Sequence, residues 1–133
     1  TEPVAVANSL EQHLAEIPEF DLAVALRSVR GQLPRLATFL RRFLEEHGED
    51  PLRLQQEIQD GLVQEAERRV HTLKGVAGTF GMQHLQALAA GVEEALKKGE
   101  GIERVSGLVD ALAEGMSALC GTLDALLGDA GGQ

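Results

Sequence analysis

The chain has 133 residues, 44% of them hydrophobic, with 21 acidic against 12 basic side chains and a net charge of −9. That length suits one domain with a modest core, the apolar fraction excludes a compositionally disordered chain, and an acidic balance without a basic stripe argues against nucleic-acid binding. A single cysteine, Cys120, excludes an internal disulfide and fits a reducing cytoplasm, while no apolar run reaches the roughly 20 residues of a membrane span.

The apolar residues are mainly Leu, Ala and Val, with four Phe and no Trp or Tyr. That composition favours a helical core over a sheet, where aromatic residues are enriched. The opening "TEPVAVANSL" has neither the basic nor the apolar region of a signal peptide. It also lacks an initiator Met, as expected of a processed protein or a piece excised from a longer one. Nine of the 12 bases fall at or before Lys74, an unevenness that would aid docking to a protein partner.

Glycines and prolines punctuate the chain into helical segments. "NSLEQHLAEI" opens with Ser9 and has Gln12 three residues on, a capping-box spacing, and Pro18 closes it. "FDLAVALRSVRG" offers Asp21 as N-cap and ends at Gly31. "QLPRLATFLRRFLEEHG" has Pro34 in its first turn, Gly48 past its last, and a stripe of Leu36, Phe39, Leu40, Phe43 and Leu44. "DPLRLQQEIQDG" predicts a short helix with Asp50 ahead of Pro51. Then come residues 62–80, the segment "GMQHLQALAAGVEEALKKG" with Leu85, Leu88, Val92 and Leu96 at helical spacing, and a long final helix carrying Val105 to Leu123. No segment alternates with period two. The expectation is an all-α fold: an antiparallel four-helix bundle of residues 33–47, 62–80, 82–98 and 102–127, with additional short N-terminal helices over one end. One domain spans 1–133, its core about 19–127, with 1–8 and 128–133 as flexible ends.

"RRVHTLKGVAGTFG", residues 68–81, stands apart. On a helix of 3.6 residues per turn, Val63, Ala66, Val70, Leu73 and Ala77 form a core stripe, and His71 lies about a third of a turn off its centre, at the edge facing water. Gly75 and Gly78, at i+4 and i+7, share its face, and Lys74 at i+3 stands beside them. Each glycine costs a helix about 1 kcal/mol relative to alanine, so something requires the missing side chains. Side chains at 75 and 78 would lean toward the space around His71. A cleared surface beside an imidazole, with one ammonium at its rim, suits a partner that brings a phosphoryl group. Arg68 lies near the same face and could meet an acidic partner; an ordinary solvated arginine accounts for it equally well. Gly81 reads as a helix C-terminal glycine. A phosphate-cradling loop is the competing reading of "GVAGTFG", but its spacing matches neither the dinucleotide fingerprint nor a P-loop, and the sheet it needs is missing.

The remaining candidates read as ordinary. His47 ends a helix, where a cation suits the dipole. His13 and His84 form no metal-binding pair, so no metal site is expected. Cys120 lies beside Leu119 on an apolar side, as a buried inert thiol.

The stretch "HTLKGVAGTFGMQHLQALAAGVEEAL" resembles the signature of the histidine phosphotransfer (HPt) domain: His71, Lys74 and Gly75, then small residues, Gly81 and Leu85. The upstream "FDLAVALRSVRGQLPRLATFLRRFLEEH" resembles HPt domains at the C-terminal end of hybrid sensor kinases, and the likeness covers about 19–127. The resemblance implies a phosphorelay. His71 would accept a phosphoryl group from a receiver-domain aspartate through Nε2 and pass it to another receiver. The module would have no kinase activity of its own and no cofactor, the Mg²⁺ residing on the receiver. In some members a Glu or Gln 22 residues after the histidine bonds the other ring nitrogen; here that is Glu93, with Glu94 as the fallback. Both as solvated surface acids remains the open alternative. A monomeric, cytoplasmic module, by itself or as the end of a membrane-bound kinase, is expected. A non-phosphorylated helical adaptor docking partners through the same face is the alternative function.

Overall fold

The computed structural model describes residues 10–131, with side chains from residue 10 to residue 127. After a helical turn at residues 10–15, six helices follow: α1 Leu22–Ser28, α2 Leu33–His47, α3 Asp50–Gln59, α4 Val63–Thr79, α5 Gln83–Lys97 and α6 Ile102–Gly131. Asp21 caps α1, its Oδ1 accepting from the Val24 N–H at 3.1 Å. The capping box at Ser9 lies outside the described residues. The last helix runs past residue 127, where the sequence pattern ended, to Gly131.

Helices α2 and α3 make a single bent rod. Pro51 has no N–H to bond the carbonyl of His47, so the helical ladder is interrupted there. Gly48 nevertheless keeps helical angles, φ −57° and ψ −30°, and the chain resumes at once. Asp50 is the first residue of α3, and Glu49 stands at its N-cap position. The short helix α3 packs against both α4 and α6 instead of covering one end. Gln55 ties it to α6, bonding the Ser106 carbonyl at 3.1 Å and Asp110 Oδ1 at 2.8 Å. Arg41 ties α2 to α6 through the Leu127 carbonyl, at 3.0 Å. The bent rod, α4, α5 and α6 thus close an all-α bundle, its neighbours antiparallel because short turns join them.

The core is the apolar stripe of each rod: Leu36 and Leu40 from α2, Leu54 from α3, Val70 and Leu73 from α4, Ala89 and Val92 from α5, Leu112 and Met116 from α6. Burying each leucine is worth about 2 kcal/mol. Val63, expected in the stripe of α4, is 44% exposed because it starts the helix at the open end of the bundle.

The turn between α4 and α5 positions the site. Gly81 takes φ +74°, a left-handed conformation that a Cβ would strain. A Cβ there would also run into the Asp21 carbonyl. The chain before α1 crosses this turn: the Asp21 N–H bonds the Gly81 carbonyl at 2.7 Å and the Gln83 N–H bonds the Glu19 carbonyl at 2.9 Å. Phe20 and Met82 pair as an isolated antiparallel bridge, and both are buried.

Candidate functional site

Ala66, Val70, Leu73 and Ala77 turn α4 toward the core, each fully buried. The opposite consequence is an outward His71, whose side chain is 68% exposed. Across from it, α5 buries Ala89, Val92 and Leu96, and Glu93 goes in with them, its side chain only 5% exposed. A buried carboxylate needs partners, and Glu93 has three. His71 Nδ1 lies 2.7 Å from its Oε2, Lys74 Nζ 2.6 Å from Oε1, and Lys97 Nζ 3.4 Å from Oε2. The hydrogen bond from Lys74 holds the Glu93 carboxyl at about 2, against an ordinary 4.5; burial pushes the other way, and the bonds from His71 and Lys97 assist Lys74.

An ionised carboxylate only accepts hydrogen bonds, so the His71 Nδ1 must carry the proton in this pair. In the neutral ring, Nε2 then holds the free lone pair. Nε2 has no hydrogen-bond partner among the described residues. The arrangement offers one oriented nucleophilic nitrogen, with an ammonium one helical turn along and a buried counter-charge behind it.

The two glycines on this face differ. At Gly75 a Cβ would meet nothing within 4 Å, so no intramolecular packing demands a glycine there. At Gly78 the amide of Gln86 occupies the space, its Nε2 2.6 Å from where a Cβ would sit. The expectation that both glycines leave solvent-facing space therefore holds in geometry only at Gly75. The missing side chain at 78 lets a residue of α5 lie across α4.

Arg68 is exposed and makes no ion pair among the described residues. It stands by a polar groove whose lining includes Glu46, Glu65 and Thr72. Glu94, the fallback, points to water and pairs with Lys98 at 3.7 Å, away from the ring. His84 lies 3.3 Å from Glu19. Cys120 is half-buried rather than fully buried, and that burial pushes its thiol pKa up, with Asp124 adding to the effect. Among the described residues no three His, Cys, Asp or Glu side chains converge as a metal site would require.

Two features escaped sequence reasoning. Lys97 reaches Glu93, and its signal was the i, i+4 spacing of Glu93 and Lys97 on one helix face. The second is an ion network under the bend of the rod. Asp50, 2% exposed, bonds His47 Nδ1 at 2.7 Å and lies 3.6 Å from both Arg53 and Arg69. Arg69 also forks onto Glu57 at 2.8 and 3.0 Å, which raises its pKa. This network fastens α2 and α3 to α4 two residues before His71.

A helical bundle that presents one oriented imidazole on an open face has the build of a group carrier. The chain belongs to the Hpt domain family, whose model matches residues 38–128. Its members are phosphocarriers in phosphorelays that interact with receiver domains, and they are not catalysts. No curated protein and no solved structure gives a match. No helix among the described residues is long and apolar enough to cross a membrane.

Proposed function

We propose that His71 is the phosphorylated residue, taking a phosphoryl group from one receiver aspartate and passing it to another. The Nε2 lone pair attacks phosphorus in line. The bond from phosphorus to the aspartyl oxygen breaks, the aspartate leaves as a carboxylate, and a P–N bond forms. The ring keeps its Nδ1 proton and so gains positive charge, which the Glu93 carboxylate stabilises at 2.7 Å. Lys74, 32% exposed, is placed to neutralise phosphoryl oxygens as a mobile point charge. Gly75 leaves room for the receiver, and Arg68 offers it a cation at the rim. The Mg²⁺ of the reaction sits on the receiver. The onward step is the same chemistry reversed.

The observation that carries this reading is a ring exposed at Nε2 and tied down at Nδ1. The receivers belong to a hybrid kinase or to response regulators, and the chain acts as a monomeric cytoplasmic module, in this reading the terminal one of a hybrid sensor kinase. The test is transfer from a panel of phosphorylated receivers, with His71→Gln as control. Acid-labile, base-stable label on the wild type and none on the variant is the expected result. A wild type that no receiver labels would overturn the proposal and favour a helical adaptor.

A further inference from the structure

Glu93 is a single carboxylate with two ammonium groups on it. One cation is enough to neutralise it. Lys74 takes Oε1 at 2.6 Å; Lys97 stands 3.4 Å from Oε2, an oxygen already bonded to His71. The cluster of a neutral ring, one carboxylate and two ammoniums carries a surplus positive charge before any phosphate arrives.

The two lysines are held differently. Lys74 is 32% exposed, on the helix of His71 and three residues from it. Lys97 is 60% exposed, on α5, one turn beyond Glu93. If Lys74 turns to the phosphoryl oxygens, Glu93 loses its closest partner. A carboxylate buried to 5% exposure cannot stay ionised cheaply without a replacement. A protonated Glu93 would accept from Nδ1 only as a neutral group, and the ring would lose its counter-charge during the step that places charge on it.

We propose that Lys97 is a positioning residue: it takes over the Glu93 carboxylate when Lys74 swings to the phosphoryl group, keeping His71 anchored through the transfer. Its ammonium has only to close from 3.4 Å to ordinary hydrogen-bond distance. It acts through Glu93 and need not touch the phosphate. This inference rests on the phosphotransfer reading above for its purpose, but the exchange of cations on Glu93 can be measured without any receiver.

The experiment follows the Glu93 carboxyl by carbon NMR through an acid titration in four proteins: wild type, Lys74→Met, Lys97→Met and the double variant. In Lys74→Met the carboxyl should still titrate below 4.5, because Lys97 closes in. In the double variant it should rise by about one pH unit or more beyond the single variants, since burial then acts with only the ring opposing it. Lys97→Arg should restore the low value. At mildly alkaline pH, where phosphohistidine persists, the carbon shift of the Glu93 carboxyl should respond more strongly to Lys97→Met in protein phosphorylated chemically with phosphoramidate than in the unmodified protein. Equal Glu93 midpoints in Lys74→Met and the double variant would overturn the inference. So would a Lys97→Met effect no larger after phosphorylation. Failure of receivers to label the wild type, with these titrations as expected, would instead sink the phosphotransfer reading alone.

Discussion

Glu93→Gln removes one charge and almost no volume, so its effect isolates the electrostatics of the site. The carboxyl lies at about 2 in the folded chain against an ordinary 4.5. At 1.36 kcal/mol per pH unit that difference sets a ceiling of about 3 kcal/mol at neutral pH. Both lysines reach solvent, Lys97 at 60% exposure and Lys74 at 32%, so screening reduces the expected loss to about 1–2 kcal/mol. That corresponds to a melting temperature lower by about 5 °C for a chain of this size. The pH dependence is the sharper signature. A carboxyl whose folded pKa is depressed contributes fully above its unfolded value and loses that contribution as pH falls toward the folded one. The gap between wild type and Glu93→Gln should therefore be full above about pH 5 and shrink to about half or less by pH 3. Urea unfolding followed by far-UV circular dichroism at pH 7, 5 and 3 measures it. A gap that is the same at pH 3 and pH 7 would refute the charge coupling and leave only a lost packing contact.

Three other substitutions bear on the site. Lys74→Ala should slow phosphoryl transfer about tenfold or more with the helical spectrum unchanged; an unaltered rate would remove Lys74 from the mechanism. Gly75→Leu should keep or raise stability by about 0.5–1 kcal/mol, since leucine is the better helix former and its Cβ meets nothing there, yet block acceptance from receivers. Normal labelling of that variant would show that the open face is not a docking surface. Gly81→Ala combines a positive φ with collision against the Asp21 carbonyl and should cost about 2–4 kcal/mol; a midpoint in urea unchanged from wild type would contradict the turn geometry.

Local rules made much of this molecule legible. Helix spans for α2, α4 and α5 follow from the 3.6-residue apolar rhythm and from breakers such as Gly61 and Gly81, because those signals sit in neighbouring residues. The alignment of His71, Lys74, Gly75 and Gly78 needs only helical geometry. What stayed hidden depends on which helices meet. Glu93–Lys97, Glu94–Lys98 and Glu100–Arg104 are equivalent i, i+4 pairs on paper, and all three form. Only packing of α5 against α4 buries Glu93 and turns the first pair into part of a site. The fork from Arg69 to Glu57 and the contact with Asp50 likewise span the turn at Gly61 and the bend at Pro51. No periodicity within one helix points to them. The surroundings of Gly78 were hidden for the same reason: the side chain that reaches its space, Gln86, comes from the next helix.

The strand-like crossing of residues 19–21 over the α4–α5 turn has a practical bearing on where this domain begins. The family model starts at residue 38, and a chain trimmed to that boundary would keep every residue around the imidazole. It would also lose the Phe20–Met82 bridge and the two backbone hydrogen bonds that lash the hairpin at Gly81. A unit that keeps this clasp on the hairpin joining the helices of His71 and Glu93 thus starts ahead of Glu19. Its N-terminal clasp belongs to the working part as much as the bundle does.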